Sequence, residues 1–161
     1  MKHPKSNAMR LLDAAGISYQ PLYYELSEAD FSGEAVSGAL GLSPDCCFKT
    51  LCAKTAENQL VLFVIPVNAT LSMKKACVVG GTKKIELVPV RELKKETGYE
   101  RGSVTPIGLK KPCAVYISEL ARPLPKMEIG SGSKGCSLLL KPQELANQCH
   151  AAFADLTEPS P

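Results

Sequence analysis

Apolar positions recur along the chain with two different periods, and the switching between them predicts a mixed α/β fold. "SNAMRLLDAAG" places Met9, Leu12 and Ala15 at helical spacing behind a Ser6 or Asn7 cap, with Gly16 as the stop. "ISYQPLYYEL" has the aromatic and β-branched content of a strand, and Pro21 assigns it to an edge or a bulge. "FSGEAVSGALG" sets Val36 and Leu40 four apart between Ser32 and Gly41, the mark of a second helix. "CCFKTLCAKT" and "QLVLFVIPV" are apolar runs divided by the polar "AEN", which predicts a central antiparallel hairpin.

Farther along, "TLSMKKACVVGG" is a short helix between a Ser72 cap and a Gly-Gly stop, "KKIELVP" a strand, and "PVRELKKETG" a helix closed by Gly98. "RGSVTPIG" is a loop or short strand, "KPCAVYISEL" carries a strand, and the glycine-serine loop "IGSGSKG" leads into "CSLLLK". A last helix starts near Pro142 and runs through "QELANQC". The closing "DLTEPSP", residues 155–161, is expected to fray.

A length of 161 residues fits one domain spanning 1–161, with an ordered core over about 5–156 and a tail over 157–161. No apolar run approaches the roughly 18 residues that span a bilayer, and "MKHPKSNAMRLLDAAG" lacks the apolar centre of a signal peptide. A cytoplasmic protein with no membrane partner is the expectation. Seven cysteines, with no C-x-x-C pair among them, read as reduced thiols rather than a metal cluster. A formal charge of +3 is too small to argue for nucleic acid. Lysine pairs at 74/75, 83/84, 94/95 and 110/111 would contact a phosphate backbone only if the fold gathered them on one face.

Within "CCFKTLCAK" the lysine demands an explanation. Alternation sends Cys46, Phe48, Thr50 and Cys52 to one face and Cys47, Lys49, Leu51 and Ala53 to the other, and both faces look apolar. A buried ammonium needs an anion or loses its proton. Two readings stay open: Lys49 reaches water or a structural carboxylate, or its amine faces a pocket and binds a phosphate, a carbonyl oxygen or a developing oxyanion. Thr50 beside it would offer a backbone amide and a hydroxyl. His3 and His150 lie near opposite ends of the chain, so a Ser-His or Cys-His pair has little support. "GSGSKG" can turn several amides toward an anion or serve as a plain loop. A domain without a protein nucleophile suits an already activated ester, cleaved by positioning and oxyanion stabilisation.

Taken together, "FKTL" at 48–51, "GSVTPIG" at 102–108 and "GSGSKG" at 130–135, after the opening "LLDAAGISYQ", resemble the YbaK family, free-standing relatives of the editing domain of bacterial prolyl-tRNA synthetase. The resemblance covers residues 5 to 156. It implies a single mixed α/β domain with a curved, barrel-like sheet and surrounding short helices, acting as an aminoacyl-tRNA deacylase without metal or organic cofactor. The implied substrate is mischarged tRNA bound at its aminoacylated 3′ end, with Cys-tRNA(Pro) first; another small amino acid such as alanine, or a non-catalytic accessory module for tRNA or synthetase, are the alternatives. Whether such a protein works alone or beside prolyl-tRNA synthetase stays open.

By resemblance, Lys49 is the catalytic residue. Thr50, Gly102 and Pro106 join it as substrate-binding residues, with Ser131, Gly132, Gly135 and Ser137 from the glycine-rich segment. Tyr24 is either packing or substrate contact. Two departures stand out: Ser137 occupies a place where the cysteine-specific branch has an aspartate, and Arg101 stands where a second glycine is common. Arg101 is then either a surface residue or an added phosphate contact.

Overall fold

A computed structural model of the chain describes residues 4–25 and 32–159. His3, Leu26 at the end of the first predicted strand segment, Phe31 at the start of the second predicted helix, and the last two residues of the tail lie outside them.

Serine caps begin the first three helices. The Ser6 hydroxyl accepts from the Met9 amide at 3.3 Å and opens α1 (Asn7–Ala14), which buries Ala8, Met9 and Leu12. Ser32 caps α2 (Gly33–Leu40) and Ser72 caps α3 (Met73–Gly80); both helices stop at glycines in the left-handed region, Gly41 and Gly81. The short α4 (Leu93–Thr97) ends on Gly98, and α5 (Pro142–Cys149) opens on a proline whose missing N–H has no partner to lose in a first turn.

The strands form two sheets. In the larger, β4 (Ile85–Leu87), β2 (Phe48–Thr55), β3 (Leu60–Pro66), β5 (Ala114–Ser118) and β8 (Ala152–Ala154) lie in that spatial order. In the smaller, β7 (Cys136–Leu140) is flanked by β1 (Gln20–Tyr23) and β6 (Met127–Gly130). The β2–β3 hairpin is antiparallel and central, in register from Phe48 opposite Pro66 to Lys54 opposite Leu60. Pro21 lies on an edge strand, as a residue without an N–H must.

Both faces of the larger sheet are covered, which is why its strands read as continuous apolar runs. On one side Phe48, Cys52, Leu62, Val64, Val115 and Ile117 pack with α1, α5 and the inward residues Met127, Ile129, Leu138 and Leu140 of the smaller sheet. On the other, Ala53, Val61, Phe63 and Ile65 meet Ala76 of α3 and Leu156.

Three features depart from the sequence expectation. β6 and β8 lie where no strand is predicted: β6 has only four residues with a glutamate among them, and β8 is alanine-rich and thus weak in strand propensity. The tail is tied down rather than frayed through residue 158. Leu156 is fully buried, its carbonyl accepts from Ser72 at 2.8 Å, and the Glu158 amide donates to Thr70 at 2.9 Å. The sheets do not close into a barrel; they meet through a single parallel bridge between Cys47 and Glu128.

Candidate active site

At that meeting point lies a cavity of about 380 Å³, lined among others by Tyr24, Lys49, Thr50, Gly102, Glu128 and Ser137. Its floor follows from sheet geometry. β4 pairs with β2 only at Ala53, Lys54 and Thr55, and the Val88 amide takes the Cys52 carbonyl at 2.9 Å, so β4 leaves the edge of β2 before Cys52 uncovered. Cys47 accepts from the Val67 amide and the Thr55 amide donates to Gln59, so odd-numbered residues of β2 bond to β3. Strand alternation then points the peptide groups of Phe48 and Thr50 away from β3, toward the edge that borders the cavity. The Thr50 side chain takes the opposite face, where its hydroxyl is buried with no hydrogen-bond partner among the described residues.

The fold also unites two motifs far apart in sequence. Gly130 has no room for a side chain, because a Cβ there would come within 2.6 Å of the Val104 carbonyl oxygen, and the Gly132 amide donates to the Ser103 carbonyl at 2.9 Å. The segment at 102–106 is thereby fastened across the end of β6. Gly102, at φ 88°, presents backbone to the cavity, and Arg101 stands exposed at its rim. Pro106 is buried on the other side, with its carbonyl toward the Cys149 thiol.

Of the other glycine-rich residues, Ser131 turns its hydroxyl inward to the carbonyls of Cys136, at 2.8 Å, and Ser133. Gly132 sits against the Tyr99 ring, and the Gly135 carbonyl accepts from the Tyr24 amide at 3.0 Å. The structure therefore brings Lys49, Thr50, Tyr24, Gly102 and Ser137 to one cavity. Pro106, Ser131, Gly132 and Gly135 hold its frame and do not line it.

Lys49 is half-buried on the cavity wall and has no carboxylate partner among the described residues. Glu128 is the residue that sequence reading missed. It is only 3% exposed, yet it lines the cavity. Burial pushes its carboxyl up to about 7, only partly offset by hydrogen bonds from Ser137 and Cys47. The Tyr24 phenol also bonds with Ser137. The available signal was a lone carboxylate inside "KMEIG", an apolar stretch too short to be read as a strand.

Other chemistry finds less support. Burial raises the thiol of cavity-lining Cys52 to about 12 and that of Cys149 likewise to about 12, which keeps both protonated and weakly nucleophilic at neutral pH. Among the described residues no three Cys, His, Asp or Glu side chains gather as a metal site requires, and all seven cysteines are free thiols. No described helix is long and apolar enough to cross a membrane. Each lysine pair commits one member to a carboxylate: Lys75 to Asp155, Lys84 to Glu86, Lys94 to Glu100 and Lys111 to Glu96.

The family model described as aminoacyl-tRNA editing domain matches residues 28–147. EbsC of Enterococcus faecalis (strain ATCC 700802 / V583), named as a candidate Cys-tRNA(Pro)/Cys-tRNA(Cys) deacylase, is 33% identical over 153 residues, which is 95% of this chain and 93% of its own. A hypothetical protein, APE2540, has the same fold in its crystal structure, with a TM-score of 0.84 at 23% identity over 92% of this chain and 97% of that one. So does a candidate trans-editing enzyme for prolyl-tRNA synthetase, with a TM-score of 0.81 at 22% identity over 97% and 100%. Fold, cavity and matches define an enzyme of the hydrolase class that removes aminoacyl groups from tRNA. The chain belongs to the aminoacyl-tRNA editing domain family, as its resemblance to the YbaK proteins implies.

Proposed function

We propose that the protein is a trans-editing deacylase that hydrolyses mischarged tRNA, with Cys-tRNA(Pro) its leading substrate, as a cytoplasmic enzyme acting alone or beside prolyl-tRNA synthetase. The observation that carries this reading is Lys49, an ammonium on the wall of a small cavity with no carboxylate partner among the described residues. Such a group is ready to meet negative charge as it develops. In ester hydrolysis that charge appears on the carbonyl oxygen, where preorganised donors stabilise the transition state most.

The ester's carbonyl sits toward Lys49, with the outward peptide N–H of Thr50 as a second donor. Gly102 lets the terminal adenosine approach the backbone of the 102–106 segment, and Arg101 at the rim suits a phosphate. Water or the substrate's own thiol adds to the carbonyl carbon, the bond to the ribose oxygen breaks and that oxygen takes a proton, releasing the free amino acid or its cyclic thioester. Attack by the neighbouring ribose hydroxyl moves the ester to that oxygen, and water must then complete the hydrolysis. Attack by the substrate thiol would favour cysteine over alanine chemically, where a pocket contact to one small group supplies only about 1 to 3 kcal/mol. Cys52, held as a thiol, is not needed as nucleophile.

The test is hydrolysis of cysteinyl-, alanyl- and prolyl-tRNA(Pro) by substoichiometric protein, with Lys49→Ala in parallel. Multiple turnover on the cysteinyl ester, absent on the prolyl ester and lost in the variant, is the expected result. Turnover on the alanyl ester instead would reassign the substrate; binding without turnover on any of them would make the protein an accessory module.

A further inference from the structure

Glu128 is a buried acid that the mechanism above does not use. Its place in the fold is specific. On β6 the residues alternate: Met127 and Ile129 enter the core, while Glu128 and Gly130 take the opposite face, opposite Leu139 and Ser137 of β7. The bridge between Cys47 and Glu128 joins this face to β2. Cys47, the extended residue just before β2, shares a face with Lys49, which lies two residues, roughly 7 Å, farther along. Glu128 and Lys49 both line the cavity, yet they form no ion pair, and no cation is among the groups that shift the Glu128 carboxyl. The cavity thus presents a carboxyl at one place and an ammonium at another, each without its opposite charge among the described residues.

An aminoacyl ester has the complementary layout, with a cationic α-ammonium beside a carbonyl that becomes anionic. We propose that Glu128 is the ammonium-binding residue of the cavity, taking the α-ammonium of the aminoacyl group while Lys49 holds the carbonyl oxygen. This assignment rests on the deacylase reading. Ser137 and Cys47 fix the carboxyl by hydrogen bonds and leave acceptor positions for the ligand. A carboxyl raised to about 7 by burial gives up its proton when an ammonium arrives, so binding weakens as pH falls below that value, and it weakens again at higher pH once the ligand's own amine loses its proton. The titratable groups around it are Cys47 just before β2 and Tyr24 after β1, with Lys49 farther along on β2; burial raises the Cys47 thiol and the Tyr24 phenol, so neither ionises in that range.

The experiment compares a cysteinyl- or alanyl-tRNA with its N-acetylated form, which keeps the ester and loses the cation. Wild type should prefer the free amine by about 10- to 100-fold in kcat/KM, the worth of a charge-assisted hydrogen bond. Glu128→Gln, which keeps the shape and removes the charge, should abolish the preference chiefly through KM. Adding Ser137→Asp to it should restore part of that preference from the adjacent strand. On the wild type itself, KM for the free amine should rise as pH falls below about 7 while KM for the acetylated ester stays level. Preference unchanged in a folded Glu128→Gln protein, or a wild-type KM without that pH dependence, would overturn the assignment alone. Absence of turnover on every ester by wild type would instead sink the deacylase reading and the assignment with it.

Discussion

Two carboxylates of this protein are almost equally hidden, and they are treated in opposite ways. Glu96 of α4, 5% exposed, lies between Lys54 and Lys111 at 3.1 and 3.2 Å, and those ammonium groups hold it below the usual carboxylate range. Glu128 of β6, 3% exposed, has no cation against it among the described residues and is raised by burial to about 7. The cover also differs in kind. Glu96 lies beneath two partly exposed lysine side chains near the surface, whereas Glu128 is enclosed by strands from both sheets. Neutralised charge of the first kind fastens a helix to a sheet. Charge left without its opposite in a buried place, as at Glu128, destabilises the empty fold and is what a binding site can use.

The largest effect should come from Lys49. Lys49→Ala is expected to lower deacylation by on the order of 100- to 1,000-fold, as removal of an oxyanion donor does, with the melting temperature unchanged. Extensive unfolding would instead show Lys49 to be a structural charge like those around Glu96. Next is the response of stability to pH. The folded state holds the Glu128 proton more tightly than the unfolded chain, from an ordinary value of 4.5 to about 7. Its stabilising contribution is therefore complete below about pH 4.5 and lost as pH rises through about 7. Glu128→Gln should remove that decline and leave the protein more stable at pH 8 by on the order of 3 kcal/mol, read from urea unfolding.

Gly102→Val would force a β-branched residue to φ 88°, at a cost of about 1 to 3 kcal/mol, and close the backbone to the ligand. Loss of stability with full activity retained would remove the 102–106 segment from the site. Glu96→Gln should cost about 1 kcal/mol, the scale of pairs open to solvent. Its pH signature is opposite to that of Glu128: the Glu96 contribution is present above the ordinary value of 4.5 and disappears as pH falls below it. The last effect is at the two buried hydroxyls without partners among the described residues, Thr50 and Thr105. Each change to valine should stabilise by about 1 kcal/mol, since an unpaired polar atom is removed at nearly constant shape. Thr50→Val should leave deacylation unchanged, since the peptide N–H of Thr50 and not its buried hydroxyl faces the cavity; slowed turnover would bring the hydroxyl into the site.

Helix ends and the central hairpin were legible because their causes are local. A serine oxygen reaches an amide three residues on, a glycine tolerates the left-handed region, and an apolar run must be covered on both faces. Lys49 stood out for the same reason, as a charge placed where the strand pattern leaves no water. β6, β8 and the pinned tail were not legible, since four-residue or alanine-rich strands form only when a neighbour supplies the ladder, and Leu156 is anchored by residues far from it in sequence.

By itself, then, the sequence determined the mixed α/β class, the helix caps, the β2–β3 pairing, the family and the suspect lysine. Through the family resemblance it also marked the serine at 137, where the cysteine-specific branch has an aspartate. Only the tertiary structure decided that Pro106, Ser131, Gly132 and Gly135 frame the cavity rather than line it, and that a carboxyl stands beside Ser137 after all, contributed by Glu128 from the next strand. The physical reason is that a cap or a strand period is set by neighbours along the chain, whereas the charge state of a buried group is set by what the fold brings near it, and that set of neighbours exists only once two sheets have met.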